Sequence, residues 1–411
     1  MDHTVYLDYS ATTPADKRVV EAMLPYFTEN FGNANSLYSL GREAFTTLED
    51  ARARIAKVIG AKHPDEVIFT SGGTESDDTA LIGLATAGGR SAGHIIVSSF
   101  EHHAVLEPAA WLGKHGFEVT YLDPHTDGTI YPEDLEAAMR PDTILVSVMH
   151  GNNEIGSIQP LRALADIAHA HGALLHTDAV QTLGKVDFNV NALGVDAASF
   201  SSHKIYGPKG FGALYVRKGT RLQPYILGGG QENKRRSGTQ NVAGAVGFAT
   251  ALELMEAERE AETPRLTALR DRAIAGVLGS LELTSLNAAD APEKLPHIAN
   301  FIIKGVEGEA MLLHLDAKGI CISTGSACSS GSLKPSHVLL AIGCPQEFAH
   351  GSLRLSLGRF TTEEDIDYFV EQLVPIVERL RSMSPVYPKI RAAALAEQAT
   401  APHDKEIHDA L

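Results

Sequence analysis

Only three cysteines occur in the 411-residue chain, Cys321, Cys328 and Cys344. Three clustered thiols cannot make a disulfide framework, which excludes a small oxidised scaffold and leaves at least one thiol for reaction. Positive charge is also short: Lys and Arg number 35 against 51 Asp and Glu, for a formal net charge of −16. A surface for nucleic acid or anionic lipid needs clustered Lys and Arg, so no direct nucleic-acid or membrane partner is expected beyond a local patch. No apolar run approaches the ~20 residues of a membrane span. Among the 18 histidines no HExxH or paired CxxC spacing appears, so no metal site is expected. The opening MDHTVYLDYS has neither a basic n-region nor an apolar h-region, and the chain reads as cytoplasmic.

What is present is ordinary globular material, 44% hydrophobic and 21% charged, long enough for one large domain and a smaller one. From about 65 to 216, short apolar runs (66–70, 94–98, 118–122, 143–149, 173–176, 197–201 and 212–216) alternate with helical patterns at 75–86, 105–115, 132–140 and 161–171. Runs apolar on both faces suit buried parallel strands, and the βαβ rhythm predicts an open, mostly parallel sheet with helices on both faces. Ligands of such sheets bind beyond the carboxyl ends of the strands. An Ala/Glu/Leu-rich stretch at 242–278 predicts one long helix. Strand patterns at 298–303, 320–323 and 352–356 predict a second α/β unit. Beyond Pro385 the Ala- and charge-rich tail reads as a frayed terminus, with a partner-docking helix as the alternative.

The residues just past the strands are the informative ones. SGGTES (71–76) offers glycines and a helix N-terminus suited to a phosphate, though Gly-Gly-Thr is also a plain turn and cap. Glu101-His102-His103 follows the next run; alone, such histidines are more often structural or solvated than catalytic. HGNNEIG (150–156) places polar groups where the sheet opens. Asp178 ends one strand and Lys204 follows another. A carboxylate and a lysine so placed suit pyridoxal 5′-phosphate, whose aldehyde condenses with the amine and whose ring nitrogen pairs with the carboxylate. An ion pair at the sheet edge would also account for the two residues taken alone.

The strings YLDYSATTP, FTSGGTES, EHHAV, HGNNEIG, HTDAVQ, SSHKIYGPKG, RRSGTQN, TGSACSSGSLKPSHVL and SLRLSLGRFTTEEDID, in this order over about residues 5–385, resemble the NifS/IscS-like cysteine desulfurases. These are fold-type I pyridoxal-phosphate enzymes of the class-V aminotransferase superfamily. The resemblance implies an α/β fold with a large cofactor-binding domain at 15–255. It also implies a small domain formed by 1–14 and 256–385, and a tail at 386–411. Lys204 would carry the cofactor and shuttle a proton. Asp178 would hold the ring nitrogen, Gln181 the ring oxygen, and His102 would stack on the ring. Thr74, Glu75, Ser201 and His203 would complete the cofactor site, with Thr239 reaching the phosphate of the neighbouring subunit in a homodimer. Asn153 and Arg354 would bind the carboxylate of the substrate, L-cysteine; a surface salt bridge is the plain alternative for Arg354.

Cys328 stands in a Gly/Ser-rich loop (about 323–336), whose composition suits a thiol that must occupy more than one position. Cys321 reads as a structural cysteine, and Cys344 carries no assigned role. The resemblance makes Cys328 the acceptor of substrate sulfur and the donor of that sulfur to an iron–sulfur scaffold or a thiolation enzyme. Selenocysteine lyase, or another fold-type I reaction, is the alternative activity.

Overall fold

The computed structural model describes residues 4–324 and 335–400, the last four by backbone alone. Its strands, in chain order, are β1 (Val5–Tyr6), β2 (Val67–Thr70), β3 (Gly93–Ser98), β4 (Phe117–Leu122), β5 (Thr143–Ser147), β6 (Leu174–Asp178), β7 (Ala197–Ser201), β8 (Gly212–Val216), β9 (Thr284–Leu286), β10 (Ile298–Ile303), β11 (Ile320–Cys321) and β12 (Ser352–Ser356). The main sheet has the order β2-β8-β7-β6-β5-β3-β4. Only β8 runs against its neighbours. Its short link to β7 (202–211) has no room for the helical crossover that parallel neighbours require. That link carries Lys204.

Burial explains which strands sit where. All residues of β2, β7 and β8 are buried, whereas β4, at one edge, exposes Glu118 and Tyr121. On one face, helices Gly73–Ala85 and His103–Gly113 supply Leu81, Leu84, Val105 and Leu112 to a core with Ile95, Val97 and Leu145. On the other, helix Ser39–Val58 and the start of Val242–Ser280 pack Leu48, Ile55, Phe248 and Leu252 toward Phe69, Val146, Leu175 and Phe200.

A second core gathers Val5 and Leu7 with Leu266, Ala273, Phe301, Leu353, Phe369 and Leu373. It is built on the three-stranded antiparallel sheet β12-β10-β9 and helix Glu363–Met383, with β1 and β11 paired alongside. The 39-residue helix Val242–Ser280 contributes to both cores, as its length predicts.

Two sequence expectations change. The run at 143–149 stops as a strand at Ser147, because Val148 and His150 turn their amides to the β6 carbonyls of His176 and Asp178 outside the ladder. The tail begins not as a frayed end but as helix Tyr387–Thr400. Tyr387 donates its hydroxyl to Glu282 at 2.6 Å and lies under the Arg381 guanidinium at 4.9 Å, while Arg391 pairs with Glu282 at 3.1 Å. Those anchors fix its first turns. Residues 401–411 lie outside the described chain.

Candidate active site

A cavity of about 340 Å³ opens at the carboxyl ends of β3, β5, β6 and β7. Its walls bring together Thr74, His102, Asn153, Asp178, Gln181, Ser201, His203, Lys204 and Arg354, nine of the residues singled out from the sequence.

The Lys204 turn is shaped by close packing. After β7, residues Ser202–Lys204 form a 3-10 turn and Tyr206 takes a left-handed backbone (φ 64°). Gly207 follows where a Cβ would stand 2.0 Å from Ser202 Oγ, so no larger residue fits. Tyr206 is held by its amide donating to Thr13 Oγ1 (2.8 Å) and its hydroxyl accepting from the Arg359 amide (2.7 Å). Strained backbone persists only where neighbours over-determine it. Lys204 Nζ then donates to the carbonyls of Ser10 (2.5 Å) and Ala11 (2.8 Å). These backbone partners belong to the YLDYSATTP segment, where a main-chain carbonyl gives no signal of its own in the sequence.

Asp178 ends β6 and accepts the Val180 amide at 2.8 Å. Burial pushes its carboxyl up to about 6, against the pull of that amide and of the Lys204 charge. Beneath it lies Asp77 on helix Gly73–Ala85, whose carboxyl is driven well above the carboxylate range by burial and by Asp178. Asp77 lines the cavity and escaped the sequence reading, because a single Asp inside a helix gives no local signal. His102 caps helix His103–Gly113, its Nδ1 accepting the Ala104 amide at 3.1 Å. Burial, and then Lys204, hold it down to about 4, so near neutral pH it is an uncharged ring. His203 is likewise held to about 4, chiefly by burial, with Nδ1 3.1 Å from Thr12 Oγ1.

Arg354, on β12, is buried and donates to Asp8 Oδ1 (2.8 Å) and the Asn153 carbonyl (3.2 Å). Its Nε and Asn153 Oδ1 have no partner among the described residues. Buried polar atoms are seldom left so, and two in one cavity mark a place for a polar ligand.

Two predicted residues stand elsewhere. Glu75 turns from the cavity to Arg236 (2.8 Å) and the Ser71 amide (2.8 Å), which holds its carboxyl low against burial. Thr239 is exposed and does not line the chain's own cavity. Cys328 lies outside the described residues, but the residues at both ends of its loop are bonded to Arg354 of the cavity wall or to neighbours in sequence of Asn153 and His102. Ser323 pairs with Arg354 (2.7 Å between Arg354 N and Ser323 O). Ser336 donates to Glu154 at 2.6 Å, and His337 Nε2 lies 2.8 Å from the Glu101 carbonyl. Cys321, half-buried on β11, and Cys344, half-buried after helix His337–Ala341, have thiols that burial pushes up, away from the nucleophilic thiolate.

The chain belongs to the class-V aminotransferase family, whose model matches residues 5–369, and shares its pyridoxal-phosphate-dependent fold. Within it, the chain falls among the NifS/IscS-like cysteine desulfurases. It is 54% identical over 385 residues to "Cysteine desulfurase IscS" of Dictyoglomus turgidum, covering 94% of this chain and 97% of the relative. It is 51% identical, over 94% and 95%, to the protein of the same name in Methanosarcina thermophila. A solved "NIFS-LIKE PROTEIN" superposes with a TM-score of 0.85 at 38% identity, covering 92% of this chain and all of that one.

The cavity fits the family's cofactor. It offers an amine at Lys204, a buried carboxylate at Asp178 and a neutral ring at His102. The N-terminus of helix Gly73–Ala85 begins at its wall, where a Cβ on Gly73 would come within 2.9 Å of Val180.

Proposed function

We propose that this cysteine desulfurase holds pyridoxal phosphate on Lys204 and moves sulfur from L-cysteine to Cys328. The observation that carries the reading is the convergence in one cavity of Lys204, Asp178, His102 and Arg354, with one end of the Cys328 loop paired to Arg354 and the other bonded to Glu154, next to Asn153. Asp178 would keep the ring nitrogen protonated, Gln181 would donate to the ring oxygen, and His102 would stack on the ring. Thr74, Ser201 and His203 would hold the phosphate, with Glu75 fixing the Ser71 turn from behind. Bound there, the cofactor supplies an electron sink conjugated to the substrate Cα, which loosens the Cα proton and opens the sulfur to attack.

Arg354 would orient the substrate carboxylate through its unused Nε–H, and Asn153 through the NH2 of its side-chain amide. Lys204 Nζ would take the Cα proton as the general base. The Cys328 thiolate attacks the substrate sulfur: the S–S bond forms, the Cβ–S bond breaks, and its electron pair ends, protonated, in the methyl group of alanine. L-cysteine and the Cys328 thiol thus become L-alanine and a Cys328 persulfide, with no external oxidant.

Thr239, exposed and away from its own cavity, would serve the site of a second copy in a homodimer. The persulfide would pass to an iron–sulfur scaffold or a thiolation enzyme in the cytoplasm. Among the described residues no helix is long and apolar enough to cross a membrane. Mass spectrometry after exposure to L-cysteine should find one extra sulfur on Cys328. Undiminished alanine formation by Cys328→Ala would overturn the mechanism.

A further inference from the structure

Lys185 is a buried lysine outside the cavity, with no acidic partner among the described residues. Its Nζ lies 3.2 Å from Gln181 Oε1 and 3.2 Å from His297 Nε2. Burial, and then the charge of Lys204, bring it down to about 7. A lysine kept in so unfavourable a place has a job that a shorter or apolar side chain would not do.

The hydrogen bonds of Gln181 indicate the job. Its Nε2 donates to the Ser10 carbonyl at 3.0 Å, while its Oε1 accepts from Lys185. The Ser10 carbonyl can only accept, and Lys185 in its ammonium form can only donate. These two partners therefore permit one orientation of the amide, and they stand on opposite sides of it. Nε2 has a second hydrogen, with no other acceptor among the described residues, and Gln181 lines the cavity. Reversed, the amide would present its oxygen to the cavity and to the Ser10 carbonyl, and its NH2 to the ammonium.

We propose that Lys185 is a positioning residue that locks the Gln181 amide so that it donates, and does not accept, at the oxygen of the cofactor ring. This deepens the reading of Gln181 given above and rests on it. In its ammonium form Lys185 also places a second positive charge near Lys204, which favours an uncharged nitrogen there. The groups around Lys185 are Lys204, His297 and, at a small cavity on its far side, Glu258, Arg259, Glu262 and Arg359. His297 is fully buried and held well below its usual range, so it adds no charge near neutral pH.

The test reads the pH midpoint of the visible absorbance of the cofactor-loaded, substrate-free enzyme, together with the rate of cofactor release. A donor at the ring oxygen and a nearby cation both lower that midpoint. Lys185→Met should raise it by about one pH unit, a tenfold change in the equilibrium, and speed cofactor release several-fold. Lys185→Gln, whose amide ends short of Gln181, should do the same and serves if the Met variant does not fold. Gln181→Ala should raise the midpoint too, and adding Lys185→Met to it should then change little further. An equal second shift in the double variant would mean that Lys185 acts by charge alone and would overturn the positioning role. An unmoved midpoint in Gln181→Ala would instead sink the donor reading of Gln181. An unmoved midpoint in both Lys185 variants would overturn the inference while leaving Gln181 intact.

Discussion

Arg354 and Asp8 show how a binding residue is prepared. The Asp8 carboxylate takes Nη2, the Asn153 carbonyl takes Nη1, and the guanidinium plane is set before any substrate arrives. Charged hydrogen bonds of this kind contribute about 1.5–3 kcal/mol each. Arg354→Ala removes the carboxylate's partner and leaves Asp8 without its ion pair. Steady-state kinetics should show kcat/KM for L-cysteine falling by about 10- to 100-fold, mostly through KM if Arg354 binds ground and transition states alike. A change below twofold would return Arg354 to a structural ion pair.

At the scale of an element, the stem of the Cys328 loop is the informative piece. Helix His337–Ala341 starts at Ser336, whose hydroxyl accepts the Leu339 amide (3.3 Å) and donates to Glu154 (2.6 Å). Burial pushes Glu154 up to about 7, opposed by Ser336 and the Arg354 charge. One hydroxyl thus caps a short helix and ties it to the β5 end of the main sheet. Ser336→Ala should cost about 1 kcal/mol in thermal unfolding, as lost N-caps do, and leave Glu154 without its donor. If the tie also holds the loop stem at the cavity, persulfide formation on Cys328 should slow in the same variant while cofactor absorbance stays unchanged. Equal loss of cofactor and persulfide would show that the whole site had collapsed.

The whole molecule carries several histidines buried in their neutral form. His176 exchanges hydrogen bonds with Ser147 (2.9 Å) and Ser199 (3.0 Å), and His150 with Thr182 (3.0 Å). Burial holds them down to about 3 and about 4, from an ordinary value of 6.5. A depressed folded value means that the unfolded chain takes up the proton first. Their contribution to stability is therefore complete above pH ~6.5 and is lost as the pH falls through the folded values. Calorimetry between pH 6.5 and 4 should show the Tm of His150→Gln falling less steeply, or rising more steeply, on acidification than that of the parent protein. The same slope in His150→Gln as in the parent protein would contradict the buried neutral state of His150. Buried Asp77, Glu101, Asp178 and Glu154, all driven up by burial, act in the opposite sense from pH ~4 upward: their contribution is complete below the unfolded values and is lost as the pH rises through the folded ones.

Much of the site could be read locally, because a parallel sheet turns order along the chain into proximity in space. Asp178 ends a strand, Thr74, His102, Asn153 and Lys204 each follow one, and aligned strands bring their carboxyl ends to one edge whatever their separation in sequence. Period and turn chemistry therefore determined the sheet and the residues at its mouth. The tertiary structure decided what holds those residues. Ser10 reaches Lys204 across 194 positions, Asp8 reaches Arg354 across 346, and Glu154 reaches Ser336 across 182. Asp77 and Lys185 became visible only by burial, since neither residue carries a local pattern. Glu75 went to Arg236 for the same reason: a helix start says that a carboxylate is welcome, not which cation will come to meet it. Local periodicity fixes which way a side chain faces, and only packing of distant segments fixes what it touches.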